Sequence, residues 1–477
     1  MACRGGCTAE CRSYVALSEL RKEFGQLWRS CWGHKQPAEA FNAWLFEALS
    51  LEEPQGPLPT STEADSEAVL TWVTLQIPFQ WPYTEDVTEA EVNFKSFLEA
   101  LKCPAAHWPG ISAQLVDDMA LKLEGQTAVE SEDQATALRS AALRAFRPLL
   151  RSTLEEQLKN FLRQLDVALQ TIHQKLAAEI GEVTDVSVDV EETAKMVRLE
   201  LRGSLPESME GKLPRRHEIH AEHWQKLKRL YKEDLKDFPE KCWMLLMRYR
   251  ALFGPHDEGA GWHMALTPSV FEALQQELKV THELFASPLN CTLPSYCSLF
   301  KDTDAAFGSS GSFFHFGKSL PAPGSFECNP PFEDGLMLKA VNCILQSLHQ
   351  EVKPLSIALI LPIWPGSPAM ISALKSSFCR GSIEIRGSSH CYLNGRQHYC
   401  KPNHMLLCQA EARGSLLVVL QNSAGTQLWP LTSAALQRLQ DAWQPAKRQK
   451  TEKAAQTKAF ESEKALSPKA ALAPERI

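Results

Sequence analysis

Asn329-Pro330-Pro331-Phe332 is the stretch whose residue types could do chemistry. The lone pair of an aromatic amine, such as N6 of adenine, is delocalised into its ring and must be turned towards an electrophile before it attacks. The Asn329 side-chain oxygen and the Pro330 carbonyl could each accept one N–H of such an amine, holding the nitrogen for in-line attack on a sulfonium methyl. Two prolines fix φ, so the carbonyls are placed in advance. Phe332 offers a face on which a base can stack. The same residues could instead form a Pro-Pro turn closing a buried strand, with Phe332 in the core.

The surrounding elements favour the chemical alternative. Gly324–Cys328 is a short strand-like run that ends at the tetrapeptide. From Glu333 to Gln350, Leu336, Met337, Ala340, Val341, Ile344, Leu345 and Leu348 recur at helical spacing. A β-type run, Ser356–Leu361, follows. Strand, loop, helix and strand make a βαβ unit, and ligands of open α/β sheets sit at the carboxyl ends of strands. Upstream, a strand Val280–Ala286 runs into Ala286-Ser287-Pro288-Leu289-Asn290, about forty residues before Asn329. That is where a class I methyltransferase places its nucleoside-binding loop, although this loop is not glycine-rich. A helix Pro268–Leu278 with Thr267 as N-cap precedes it. Strands near Ile383 and Ile385, a hairpin of Met405–Cys408 with Ser415–Gln421, and a helix Leu431–Trp443 complete the domain. The fold class is therefore α/β: a Rossmann-like class I methyltransferase domain, with an N-terminal all-α domain before it.

The rest of the chain divides around that domain. Residues 1–12 are expected to be a disordered leader and 13–182 a helical domain, with further helices near 65–75, 84–102 and 111–123. Leu17, Leu20, Phe24, Leu27 and Trp28 form one apolar stripe, and Phe41, Trp44, Leu45, Ala48 and Leu49 another. The clearest helix is expected after Pro148, with Leu154, Leu158, Phe161, Leu165 and Leu169 on one side. Residues 183–266 hold an edge hairpin, since Val186, Val188 and Val190, then Val197, Leu199 and Leu201, alternate with polar residues. Connecting helices and a basic segment with Arg215, Arg216, Lys226, Lys228 and Arg229 follow it. That segment is either a solvated face or a phosphate-contacting surface. The methyltransferase domain covers 267–444 and a low-complexity tail covers 445–477. Lys447-Arg448-Gln449-Lys450 in the tail is either a nuclear-import signal or a solubilising run.

Over 477 residues the net charge is −7, so nucleic-acid binding must come from local clusters. The fourteen cysteines are scattered, no signal-peptide pattern precedes them, and no stretch approaches the 18 apolar residues of a membrane span. A reduced, intracellular chain without membrane contact is expected. No metal is expected. Cys3, Cys7 and Cys11 lack completing ligands, and the spacing of His390, Cys391, His398, Cys400, His404 and Cys408 matches no standard zinc knuckle.

Phe285-Ala286-Ser287-Pro288-Leu289-Asn290-Cys291, Tyr296-Cys297, Asp302-Thr303-Asp304, Phe307-Gly308-Ser309 and Gly324-Ser325-Phe326-Glu327 before the tetrapeptide resemble the phosphorylated-CTD-interacting factor family. Gly395-Arg396-Gln397-His398 and Phe41-Asn42 with Trp44-Leu45 match too. The resemblance implies a cap-specific adenosine N6-methyltransferase that uses S-adenosylmethionine on the 2′-O-methyladenosine beside the m7G cap of mRNA, in the nucleus, with the cytoplasm as the alternative location. It implies that Asn329, Pro330, Pro331 and Phe332 orient the amine and, with Ala286, Ser287, Pro288 and Asn290, hold the methyl donor. Asp334, Trp364 and His390 would lie by the RNA. Ala43, Ser310 and Ile363 stand where the family carries Arg, Arg and Glu, and the family's arginine near Thr71 has no counterpart. Capped mRNA is the expected partner. No WW module is seen, so the phosphorylated RNA polymerase II tail is not expected as one. The alternatives are a catalytically weak or silent relative that binds RNA or protein, and a DNA adenine methyltransferase.

Overall fold

The structure, a computed structural model, describes residues 2–32, 37–51, 56–62, 68–70, 132–178, 186–317, 320–364, 366–387, 390–408 and 414–443. The helices expected near 84–102 and 111–123, most of the one near 65–75, and the tail 445–477 lie outside them.

The N-terminal region is helical: α1 (Ala2–Trp32), α2 (Pro37–Leu51) and α3 (Glu132–Ala178). Apolar residues three and four apart make one stripe on each helix, and the stripes meet around Phe24. Its ring lies 5.2 Å from Phe41, 5.7 Å from Trp44 and 5.3 Å from Phe161, all buried. Each such ring contributes about 1.5–3 kcal/mol by leaving water. The helix expected to begin after Pro148 instead starts at Glu132 and runs through that proline.

An antiparallel sheet of β1 (Val186–Glu192), β2 (Met196–Gly203) and β3 (Arg216–His220) follows. The alternation expected at 183–202 does form an antiparallel hairpin, with β1 at the edge of its own three-stranded sheet. Its second strand pairs with a third drawn from the basic segment. Period-two burial of Val197, Leu199 and Leu201 turns one face onto the helical core. Helices α4 (Ala221–Leu230) and α5 (Phe238–Phe253) complete that core.

Residues 2–12 are not a leader. They are the opening turns of α1, with Cys7 and Cys11 facing the core. Arg248 of α5 donates to both oxygens of buried Glu10, at 2.9 and 2.5 Å, and to both of Asp302, at 2.9 and 2.8 Å. A buried carboxylate needs such pairing, and this pairing pins the first turns.

The C-terminal region runs α6 (Pro268–Leu278), β4 (His282–Ala286), β5 (Tyr296–Ser298), β6 (Gly324–Cys328), α7 (Asp334–Gln350), β7 (Leu355–Pro362), α8 (Pro368–Lys375), β8 (Cys379–Ile385), β9 (Cys391–Leu393), β10 (Leu406–Cys408), β11 (Ser415–Gln421) and α9 (Ser433–Ala442). Six strands form a mixed, mostly parallel sheet in the order β5-β4-β6-β7-β11-β8, in which only β11 is reversed. Every residue of β7 is buried, because α7 and α8 pack on one face and α6 and α9 on the other. The expected hairpin of 405–408 with 415–421 does not form. β10 pairs with β9, while the wholly apolar Leu416–Leu420 run sends β11 into the sheet interior. Among the described cysteines ten are free and Cys391 is disulfide-bonded, so the chain is not wholly reduced as expected. No described helix is long and apolar enough to cross a membrane.

Candidate active site

β4 leads to β5 on one side of the sheet, and the chain then crosses to β6 on the other side of β4. The carboxyl ends of β4 and β6 therefore flank a topological switch point, where open α/β sheets bind ligands. Residues 287–290 and 329–332 follow those two strand ends.

The first loop is locked by its own polar groups. Asn290 Oδ1 accepts the Ser287 amide at 2.7 Å, and Ser287 Oγ accepts the Leu289 and Asn290 amides at 3.1 and 3.3 Å. Buried His263 donates from Nδ1 to the Gly395 carbonyl at 3.1 Å, leaving Nε2 to accept the Ser287 hydroxyl at 2.6 Å. Burial pushes this imidazole down to about 4, so it is neutral. Glu283 of β4 accepts the Thr292 and Leu293 amides at 2.7 and 2.5 Å, fixing the loop's exit. Its register partner is Glu327 of β6. Burial raises both carboxyls, Glu283 to about 7.

The second loop stays open. Asn329 is half-buried, and its side chain makes no hydrogen bond to any described residue; the Pro330 carbonyl likewise accepts none. Glu333 ends the loop by capping α7, its carboxylate accepting the Leu336 amide at 2.7 Å. Burial, with Glu47 of α2 nearby, lifts Glu333 to about 7.

Asn329 stands where two cavities meet. An inner one of about 70 Å³ lies between Ala286, Asn290, Ser298, Phe313 and Asn329, and an outer one of about 200 Å³ lies over Pro330, Phe332 and Tyr392. Trp262, Met264, Asn329 and Pro331 line both, making them two arms of one cleft. Phe332 is braced edge-on by Trp364 at 6.3 Å and Tyr392 at 6.4 Å.

The cleft thus gathers Ala286, Asn290 and residues 329–332. Ser287 and Pro288 are buried behind its wall. Asp334 and His390 do not line either arm. Asp334 is buried and accepts the Ser367 hydroxyl at 3.2 Å, and His390 is buried against Ser415 at 2.8 Å, behind Tyr392. Trp364 reaches the cleft only through Phe332. Sequence reasoning missed Trp262, Met264 and Tyr392. A tryptophan inside Gly259-Ala260-Gly261-Trp262-His263 was the available signal for the first; stacking on Phe46 at 5.5 Å sets its ring.

Together, fold and site define an α/β protein with a cleft of polar and aromatic groups at the switch point of its sheet. A family model described as the phosphorylated CTD interacting factor 1 WW domain matches residues 223–395, and the resemblance to that factor is borne out over this segment. The chain is 38% identical over 214 residues to the Homo sapiens mRNA (2′-O-methyladenosine-N(6)-)-methyltransferase, which is 44% of this chain and 30% of that protein. It is 36% identical over 239 residues to the Mus musculus protein of the same name, 48% of this chain and 33% of that one. The chain spans about a third of the length of these curated relatives. Because the matching model carries the WW domain in its description, the expectation of a chain without that module, and of no polymerase-tail partner, is withdrawn.

Proposed function

We propose that this chain is an S-adenosylmethionine-dependent N6-methyltransferase acting on adenosine in RNA, specifically the 2′-O-methyladenosine beside the m7G cap of mRNA, on a Rossmann-like class I methyltransferase sheet. The observation that carries this is the unpartnered Asn329 amide, standing between the two arms of the cleft. An amide at a strand end that spends no hydrogen bond on its own protein keeps its acceptor and donors open to a bound molecule.

The lining suits a nucleoside-bearing methyl donor in the inner arm: aromatic Phe285, Phe313 and Phe314 for a base, with the polar groups of Asn290, Ser298 and Ser312. Small-molecule pockets usually measure about 300–1,000 Å³, so this 70 Å³ arm would have to widen to admit the donor. S-adenosylmethionine, when bound, supplies an electrophilic methyl carried on a sulfonium. In the outer arm the target adenine stacks on Phe332. Asn329 Oδ1 and the Pro330 carbonyl would accept its two N6–H bonds, turning the nitrogen lone pair towards the inner arm; as the methyl passed from sulfur to nitrogen, its C–S bond would break to leave a neutral thioether and one N6 proton would be lost to solvent. A nuclear location and an interaction with a phosphorylated polymerase tail belong to the same proposal, on the family description and the basic run 447–450.

A silent relative is the second reading. It is favoured by Ala43 and Ile363, which are buried, apolar and unable to hold a phosphate. Labelled methyl donor, incubated with m7G-capped RNA beginning in 2′-O-methyladenosine, uncapped RNA and DNA, separates the two. Label confined to capped RNA, and abolished by Asn329→Ala, is expected. Label in uncapped RNA or DNA would move the substrate, and none in any of the three would defeat the enzyme reading.

A further inference from the structure

Tyr392 of β9 closes one side of the outer arm, and its ring meets the half-buried Phe332 edge-on at 6.4 Å and 82°. Trp364, from the loop after β7, meets Phe332 edge-on at 6.3 Å. Edge-to-face pairs fix the angle between two rings as well as their distance, because the positive edge seeks the negative face. Tyr392 therefore bears on the plane of Phe332 and not only on its place.

The far end of Tyr392 is held in turn. Its ring is buried and packs edge-on against Trp443 at 5.6 Å. Its hydroxyl has one hydrogen-bond partner among the described residues, Ser415 Oγ at 2.5 Å. Burial pushes the phenol's pKa up, so the proton stays. A buried O–H needs an acceptor, so the phenol donates to Ser415. Ser415 then has its own proton left for His390 Nε2, at 2.8 Å, and the neutral imidazole accepts it. Tyr392, Ser415 and His390 are all buried, which keeps water from standing in for either bond. The groups thus lie one behind another, from Phe332 in the cleft back to His390 in the core.

We infer that Tyr392 is a positioning residue for the target base, held by Ser415 and His390, so that a histidine outside the cleft helps set the plane on which the base stacks. The inference rests on the stacking of adenine on Phe332 proposed above. The amine has to reach Asn329 Oδ1 and the Pro330 carbonyl together, and both belong to the same loop as Phe332. A tilt of the ring carries the amine away from both, and a misplacement of about 1 Å can cost on the order of 100-fold. Neither Phe332, Tyr392 nor Ser415 lines the inner arm, so the donor's site is spared.

Tyr392→Phe and Ser415→Ala, made in the full chain, remove one bond from its two ends. Each is expected to lower kcat/KM for m7G-capped RNA beginning in 2′-O-methyladenosine by about threefold to tenfold, while the Kd of S-adenosylmethionine stays within about twofold. The double variant is expected to be no worse than the single ones, because all three lose the same bond. Tyr392→Leu, which removes the ring edge as well, should lose more; the two milder variants decide the matter should it not fold. Losses that add in the double variant, a donor Kd that rises in step with the RNA effect, or kcat/KM equal to the parent's overturns the inference. A parent that labels no RNA defeats the function proposed for the cleft, and the anisotropy of the same RNA carrying a fluorophore then decides the inference alone. Weaker binding in both variants supports it; equal binding, or none by the parent, overturns it.

Discussion

Glu333 stands directly after the tetrapeptide, buried to 3% exposure, with one oxygen on the Leu336 amide and the other without a hydrogen-bond partner. Its folded pKa rises from 4.5 to about 7, chiefly because burial penalises the carboxylate, with Glu47 adding to the rise. Each pKa unit is worth about 1.4 kcal/mol, so keeping Glu333 ionised in the fold costs on the order of 3 kcal/mol. The sign follows from proton counting. Between pH 4.5 and about 7 the folded chain keeps a proton that the unfolded chain has lost, so stability is full below that window and falls as pH rises through it. Glu333→Gln keeps an oxygen for the Leu336 amide and removes the titration. The variant is expected to match the parent near pH 4.5 and to exceed it by up to about 3 kcal/mol at pH 8. Urea midpoints followed by tryptophan fluorescence across that range measure the difference. Glu283 and Glu327 titrate in both proteins and cancel. Parallel curves, or a variant weaker at pH 8, would refute the buried-carboxylate account.

Three other changes should separate structure from chemistry. Arg248→Ala strands the buried Glu10 and should cost about 3–5 kcal/mol, read as an earlier urea transition; a loss under 1 kcal/mol would mean that the clasp does not matter. Ser287→Ala removes the acceptor of two loop amides and the partner of His263, so donor affinity should fall roughly tenfold or more while turnover at saturating donor is largely kept. A drop in turnover alone would contradict that role. Gly395→Ala would set a Cβ 1.8 Å from the Ala260 carbonyl oxygen; limited proteolysis should show rapid cleavage, and a resistant variant would refute the packing.

Much of the C-terminal half was legible, because its signals are local. The period-three-and-four stripe of α7 and the apolar run of β7 allow one folding solution each, and together they place Asn329 at a strand end. What was hidden is non-local. Nothing near Cys7 or Glu10 in the sequence reveals that Arg248 will meet them, so an ordered first helix reads as a leader. Leu416–Leu420 reads equally as a hairpin arm or an interior strand, and only competition for the β7 edge decides between them. His390 looks like a ligand to the eye that sees polarity, yet Ser415 satisfies it inside the core. Trp262 reaches the cleft from a connection whose path depends on α2 through Phe46.

The clasp on Glu10 also has a consequence in time. A ribosome that has just added Glu10 must add 238 further residues before Arg248 exists, and another 54 before Asp302 does. Until then the opening helix carries an acid that has no place indoors and a row of thiols that has no place outdoors. The packing of this helix end is therefore completed late in synthesis, and a product released before Arg248 would keep the contacts of Phe24 with α2 and α3 but leave Glu10 unpaired.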